Sequence, residues 1–312
     1  MEKSKRLIEI DIYRGIAIIL VILSHLTFEN QIQRIIIHSF NMPVFFIISG
    51  YLWKKTNIKK ILKNYLLPTY IVLIFDLIKY LIKMKFVLNL KDVLQGIFLI
   101  GGFFGNAPLW FLPVLACLCI IMNCLHDKKS INYFAVILCV VCVGILKIKI
   151  NEQLYFWPMA ILSSYPFYFI GYVIKQNKIV INKNICYFIA VTILLIILAY
   201  YNGYVSIIQQ VFGKSYFLFL ITGVLGAYFL IYVSFILKRY KKCDILSNLG
   251  INSIYILLTH YYLCRSVIPK ILNLMKIQQI EYNFLFQICA ALIISFGYYC
   301  FFKLFERKFS HE

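Results

Sequence analysis

The stretch EIDIYRGIAIILVILSH, residues 9–25, decides how the chain is interpreted. It is apolar enough to cross a bilayer, yet it carries Asp11, Arg14 and His25. At 100° and about 1.5 Å per residue, Arg14 and His25 lie on one helix face, about 16 Å apart along the axis, with Asp11 within about 60° of both. An arginine inside a membrane costs at least about 2.5 kcal/mol, so this stripe faces a protein interior or a wet cavity.

Apolar blocks of similar length recur along the chain. The 312 residues are 62% hydrophobic and have a mean hydropathy of +0.83, whereas soluble domains average about half apolar residues. Blocks of about 18 to 23 apolar residues are typical of transmembrane helices. We therefore predict an all-α fold, a polytopic membrane helix bundle in which residues 1–312 form a single integral-membrane domain.

The blocks predict ten membrane spans, and segments 92–104 and 205–213 are expected to be interfacial or re-entrant. The predicted spans are 8–27, 35–53, 61–83, 108–125, 131–147, 160–175, 183–201, 215–237, 245–264 and 283–304. Most Lys and Arg residues lie in the segments on the side of the N-terminus, so the positive-inside rule places both termini in the cytoplasm. The first run is too long for a signal peptide and lacks a small-residue cleavage site, so we expect a retained helix.

The formal net charge of +20 fits this topology. Basic residues in cytoplasmic loops fix orientation and meet anionic lipid, and no compact basic domain indicates a nucleic-acid partner. Ten cysteines are scattered through apolar segments. Cys139 and Cys142 form a C-x-x-C without a second pair, which favours buried packing over a metal or redox site. We expect no bound metal.

Polar and small residues also mark the second predicted span, HSFNMPVFFIISGYLWKK, residues 38–55. Ser49 and Gly50 form a small-residue notch where backbones or a ligand can approach closely. Phe45 and Phe46 can surround an acyl chain or simply fill the bundle.

The penultimate predicted span carries Asn252, Ser253 and His260 in the stretch LSNLGINSIYILLTH. Ser253 and His260 are seven residues apart and hence nearly on one helix face. In the predicted topology His260, His25 and His38 all lie near the outer membrane boundary. This common level indicates an outward-facing polar pocket, and the alternative is the ordinary enrichment of polar residues at membrane interfaces.

These segments belong to a larger pattern of six motifs in order. They are DIYRG followed by His25 with Arg-x10-His spacing, MPVFFIISGY (42–51), PLWFLPVL (108–115), FYFIGYV (167–173), LGINSIYILLTH (249–260) and LFERKF (304–309). From about residue 6 to residue 307 the chain resembles the acyltransferase-3 family of integral membrane acyltransferases. One position departs from the family pattern, because Asn41 stands where members often have histidine before Met-Pro, and His38 lies three residues earlier.

The resemblance implies transfer of an acyl group, usually acetyl, from cytoplasmic acyl-CoA to a hydroxyl of a cell-surface or lipid-linked carbohydrate. It implies a multi-pass protein of the cell membrane, without a permanently bound cofactor, and we expect no esterase-like domain after the last span. In the implied catalytic set, Arg14, steadied by Asp11, orients the acyl-CoA, and His25 is a general base or a transient acyl carrier. The acyl tunnel is assigned to Arg14, Phe45, Phe46, Ser49, Gly50 and Trp110, and the acceptor side to His260, Asn252, Ser253 and His38.

Other interpretations of the same residues stay open. Asp11 and Arg14 can form an ion pair that only locks one helix to its neighbour, with His25 as a polar cap. A carrier or exporter of glycan or its lipid-linked precursor also needs polar residues along a path, but it does not consume acyl-CoA. A membrane scaffold for a glycan-synthesis complex would not need the polar stripe.

Overall fold

The computed structural model describes residues 7–26, 32–83, 85, 107–149, 157–239, 243–274 and 284–309. This part of the chain is almost entirely helical. Its helices are α1 (Ile8–Leu26), α2 (Ile32–His38), α3 (Asn41–Leu52), α4 (Ile58–Lys83), α5 (Phe111–Leu125), α6 (Lys129–Lys149), α7 (Trp157–Gln176), α8 (Ile185–Asn202), α9 (Tyr216–Leu237), α10 (Asp244–Ile251), α11 (Ser253–Tyr262), α12 (Ile268–Leu274) and α13 (Phe284–Phe309). The predicted interfacial segment 92–104 lies outside the described residues.

Six helical stretches in the described residues are long and apolar enough to cross a membrane. They are Ile32–Leu52, Ile58–Lys83, Pro108–Leu125, Ile185–Asn202, Tyr216–Leu237 and Phe284–Phe305. Each coincides with one of the ten predicted spans. The spans predicted at 8–27, 131–147 and 160–175 are helices α1, α6 and α7. The structure therefore supports an α-helical membrane protein, while the count of ten stays a prediction.

The span predicted at 245–264 is not one continuous α-helix. Asn252 ends α10 in a non-helical conformation, and its side-chain Nδ2 donates to the carbonyl oxygen of Asn248 at 3.0 Å. The chain then continues through α11 into a π-helical turn, Leu263–Val267, before α12. An asparagine amide competes with the backbone for such hydrogen bonds, which explains why the helix breaks here.

The segment predicted at 205–213 as interfacial or re-entrant forms a small antiparallel hairpin. Its strands are β1 (Val205–Ser206) and β2 (Val211–Phe212). Asn202 fixes the hairpin, because its Nδ2 donates to the carbonyl of Phe212 at 3.1 Å and its Oδ1 accepts from the backbone N–H of Ser215 at 2.9 Å.

The chain divides into two compact units. Unit 1 comprises Met1–Phe45, Val180–Tyr201 and Thr222–Glu312, and unit 2 comprises Phe46–Ile179 and Asn202–Ile221. Unit 1 thus joins the beginning of the chain to its last third.

Unit 1 is organised by the contact between α1 and α10. A methyl group added at Gly250 would overlap the carbonyl oxygen of Asp11, and one added at Gly15 would overlap that of Leu246. The two glycines are also neighbours, since the position of that methyl group at Gly250 is 3.0 Å from the backbone nitrogen of Gly15. Glycine lets two membrane helices approach this closely. Van der Waals packing then stabilises the contact, because the hydrophobic effect does not drive helices together in lipid.

Polar contacts attach further elements of unit 1 to this pair. The Tyr13 hydroxyl, fully buried, donates to the carbonyl of Val44 at 3.0 Å and so ties α1 to α3. At the start of α1, Glu9 accepts from Lys238 Nζ at 2.7 Å. A carboxylate at this position also suits the positive end of the helix dipole.

Unit 2 contains a second reciprocal glycine contact, between α3 and α7. A methyl group at Gly50 would overlap the carbonyl oxygen of Tyr168, and one at Gly171 would overlap that of Ile47. The small-residue notch at Gly50 is therefore filled by the backbone of a neighbouring helix.

We expect Gly250→Val to lower the unfolding temperature of the detergent-purified protein strongly. The valine side chain overlaps backbone atoms of α1 that cannot rotate away, and overpacking of this kind costs about 1 to 3 kcal/mol or more. Gly144→Ala is the matched control, because a methyl group there meets no atom within 4 Å. Alanine also favours a helix by up to about 1 kcal/mol over glycine. Equal melting temperatures for Gly250→Val and the unmodified protein would contradict the role of the glycine contact.

Candidate functional site

The predicted catalytic residues Asp11, Arg14 and His25 all lie on α1. Asp11 is buried within unit 1, and Arg14 and His25 are partly buried. The backbone of Asp11 takes part in the glycine contact with α10. The acidic end of the predicted stripe is therefore held in a fixed position beside α10.

The ring of His25 packs against α11. Its centroid lies 5.1 Å from that of His260, and 5.2 Å from that of Tyr261 in an edge-to-face arrangement. His25 follows Gly15 by ten residues, and His260 follows Gly250 by the same number. Because the glycines meet and the histidines meet, α1 runs in the same direction as the α10–α11 segment. The glycine contact thus fixes how far along α1 and α11 the two rings meet.

Hydrogen bonding fixes the tautomer of His260. Its Nδ1 lies 2.9 Å from the carbonyl oxygen of Ile256, one helical turn earlier. A carbonyl can only accept, so Nδ1 carries the proton and Nε2 of the neutral ring keeps its lone pair. The side chain is fully buried, and within the described part of the chain Nε2 has no hydrogen-bond partner. His260 therefore presents a buried acceptor on the helix that packs against His25.

The second predicted span approaches the same place through Asn41 and His38. Asn41 is buried, and its Nδ2 donates to Ser24 Oγ at 3.3 Å, next to His25 in the chain. His38, at the end of α2, lies close enough to act electrostatically on the His25 ring. Asn41 thus supplies an amide close to His25 at the position where the resemblance leads one to expect a histidine.

Two arginines also lie near His25, and no sequence motif singles them out. Arg34 on α2 is 7% exposed, and Arg265 lies in the π-helical turn after α11. Both act electrostatically on His25. The turn containing Arg265 is attached to α1 by Cys264, whose Sγ lies 3.9 Å from the carbonyl oxygen of Ile22. In the sequence, these arginines could have been found from their position, because both lie in segments predicted at the outer membrane boundary, as His25 does.

The other residues assigned to the acceptor side lie nearer the break in the helix. Asn252 bonds to its own helix through Asn248, and Ser253, which begins α11, is buried. Their predicted role in acceptor binding stays a prediction.

Most residues assigned to the acyl tunnel belong to unit 2. Phe46 packs on Trp110 with ring centroids 6.4 Å apart, and on Phe111 at 4.9 Å. Ser49 is partly buried on the same helix, and Phe45 is buried at the end of the first segment of unit 1. The aromatic cluster of Phe46, Trp110 and Phe111 is an apolar wall, and its use as an acyl tunnel stays a prediction.

Among the described residues, no group of three or more His, Cys, Asp or Glu side chains could hold a metal ion. Within the described ranges, the charged or titratable side chains that act on His25 are two imidazoles and two arginines. A neutral imidazole can take a proton from a hydroxyl, and arginines stabilise negative charge that develops nearby.

One comparison with known proteins gives a match. A family model described as an acyltransferase domain matches residues 7–302 of the 312, and so runs through both units. No curated protein and no solved structure matches the chain.

The tautomer of His260 can be measured directly. The protein has five histidines, and nitrogen NMR of histidine-labelled protein in lipid reports which ring nitrogens are protonated. We expect one signal with a protonated Nδ1 and a bare Nε2, and we expect His260→Gln to remove it. Protonation of Nε2 instead of Nδ1 in His260 would contradict the structure.

Proposed function

We propose that the chain, which belongs to the acyltransferase-3 family, is an O-acyltransferase that moves an acyl group from acyl-CoA to a hydroxyl of a carbohydrate. Acetyl is the proposed acyl group, and a cell-surface polysaccharide or a lipid-linked sugar is the proposed acceptor. The family supports acyl transfer in a membrane, and the donor, the acceptor and the O-acetyl specificity are our proposals.

The observation that carries the proposal is the contact between His25 and His260. Two buried or partly buried imidazoles meet with ring centroids 5.1 Å apart, and one of them keeps a bare Nε2. Acyl transfer to an alcohol requires a base at the hydroxyl, and histidine is the side chain most often used for that purpose. A site built only to lock helices together would not require an acceptor atom without a partner.

The proposed reaction balances as follows. His25 takes the proton of the acceptor hydroxyl, and the oxygen attacks the thioester carbonyl of acyl-CoA. The C–S bond then breaks, an ester forms, and the departing thiolate of coenzyme A recovers the proton. His260 accepts a hydrogen bond from the sugar through Nε2 and so holds the acceptor beside His25. Transient transfer of the acyl group to His25 itself is the alternative route.

Arg14 and Asp11 have a proposed role at the donor end. About 16 Å of helix separates Arg14 from His25, so the positive charge of Arg14 meets the acyl-CoA while the imidazole meets the sugar. Asp11, fixed in the contact with α10, limits the rotation of α1 and hence of Arg14.

We further propose ten membrane spans in the cell membrane with both termini in the cytoplasm. The Lys and Arg distribution supports this orientation. The common direction of α1 and the α10–α11 segment also supports it, because the first and ninth spans of such a topology must cross the membrane in the same sense. Cytoplasmic acyl-CoA would then reach Arg14 first, and the histidines would face the outer side.

The test is release of free CoA from acetyl-CoA by protein in nanodiscs, with and without a surface-glycan extract. We expect glycan-dependent release that falls by about 10² to 10⁴ in His25→Ala, the usual effect of losing a general base. Arg14→Ala should also abolish transfer, and His260→Gln should raise the KM for glycan more than that for acetyl-CoA.

His126→Ala and Arg239→Ala are the matched controls, because they remove the same side chains in other parts of the described chain. Both should retain activity. No CoA release from folded protein with any extract would contradict the acyltransferase proposal and favour a carrier. Release that survives in His25→Ala would keep the enzyme and remove His25 as its base.

A further inference from the structure

A long apolar groove lies in unit 1 between α13 and the segment from α11 to the start of α12. It has a volume of about 970 Å³. Its lining extends from Phe286 to Phe302 along α13, which is about 24 Å of helix and most of the roughly 30 Å hydrocarbon thickness of a bilayer. Gly297 keeps the groove open, because a methyl group added there would meet no atom within 4 Å. The groove is therefore long enough to hold an extended hydrocarbon chain.

Two hydroxyl groups in the lining, those of Thr259 and Tyr298, bond to the protein itself. Thr259 donates its single hydroxyl hydrogen to the carbonyl oxygen of Tyr255 at 2.8 Å. Tyr298 must therefore donate its own hydrogen to Thr259 Oγ1, which is 2.7 Å away. Neither hydroxyl hydrogen is left for a ligand. The chemistry of this part of the groove thus suits a hydrocarbon better than a sugar or a polar headgroup.

The groove opens toward the bilayer. Its wall α13 is long and apolar enough to cross a membrane, and the lining residues Tyr255, Ile293 and Phe301 are 60%, 71% and 55% exposed. On such a surface the surrounding solvent is hydrocarbon. A partner helix gains no hydrophobic driving force there, because lipid tails are as apolar as its own side chains. A lipid chain is therefore the occupant that this surface favours.

The groove also borders the π-helical turn that follows α11. Leu263 and Val267 of this turn line the groove. Cys264 of the same turn contacts α1, with its Sγ 3.9 Å from the carbonyl oxygen of Ile22. Side chains that face an unfilled space lose van der Waals contacts on that side. A hydrocarbon chain in the groove would restore these contacts and so hold the turn against α1.

We infer that the groove beside α13 is a binding site for an acyl chain of a bilayer phospholipid, and that this chain stabilises the packing of the π-helical turn on α1. The bound phospholipid is a structural ligand. It is neither the donor nor the acceptor of the proposed acyl transfer, so the inference stands independently of the proposed function.

A photoreactive phospholipid tests the site in the unmodified protein. The protein is placed in nanodiscs that contain a small fraction of phospholipid with a diazirine in its acyl chain. After irradiation, the labelled residues are identified by mass spectrometry. We expect more label on Ile293 in the groove than on Ile137 of α6, an isoleucine that is 61% exposed and lies outside the groove.

A variant that fills the groove tests the same site from the protein side. Gly297→Leu should lower the label on Ile293 at least about fivefold, the smallest effect expected when a side chain is forced into an occupied space. Gly144→Leu is the matched control, because Gly144 also faces open space on a helix, and it should leave the label unchanged. Phospholipid added to detergent-purified protein should raise the unfolding temperature of the unmodified protein and of Gly144→Leu, and that of Gly297→Leu much less.

Equal label on Ile293 and Ile137 in the unmodified protein would overturn the site, and this comparison holds even where Gly297→Leu does not fold. Label on Ile293 that survives in folded Gly297→Leu would overturn it as well. An equal rise in unfolding temperature for Gly297→Leu and Gly144→Leu would overturn the stabilising role of the lipid. A dimer of the unmodified protein that Gly297→Leu dissociates would show that a second copy of the chain, and not lipid, occupies the groove.

Discussion

The close approach of α1 and α10 is the constraint on which the candidate site depends. Gly15 and Gly250 bring two backbones into contact, and neither position has room for a side chain. In lipid, such a contact is stabilised by dispersion and by the absence of better partners, since apolar side chains gain little by leaving a hydrocarbon solvent. It fixes the translation of one helix along the other, and so determines that His25 meets His260 and that Asp11 is enclosed.

The histidines illustrate how two modest restraints give a defined geometry. The glycine contact sets their level, and the hydrogen bond from His260 Nδ1 to Ile256 sets which nitrogen is available. Each restraint comes from ordinary helix geometry, with no metal or covalent link among them in the described residues. The break at Asn252 lies between the glycine contact and His260. The π-helical turn after α11, which Cys264 attaches to Ile22 of α1, brings Arg265 near His25 as well.

The sequence predicts most of the helices and singles out several residues of the candidate site. Apolar blocks predict helices because a membrane demands internally satisfied backbone, and Arg14 and His25 stand out because polar residues in such blocks are costly. The break at Asn252 and the hairpin after Asn202 were missed, since both follow from side-chain hydrogen bonds that hydropathy does not contain. For Arg34 and Arg265 the sequence indicates only a position at the membrane boundary. Hydrophobic periodicity describes one helix at a time and does not show which segments become neighbours.

The discontinuity of unit 1 has a consequence for biosynthesis. Glu9 pairs with Lys238, which is 229 residues later in the chain, and the glycine and histidine partners of α1 come later still. At about 5 to 20 residues per second, roughly 10 to 50 s pass between synthesis of α1 and synthesis of its partners. During that interval a helix carrying Asp11 and Arg14 must be sheltered by the insertion machinery or by earlier helices. Asp11 and Arg14 thus make membrane insertion of the nascent α1 less favourable. The helix becomes enclosed only when the last helices have been inserted.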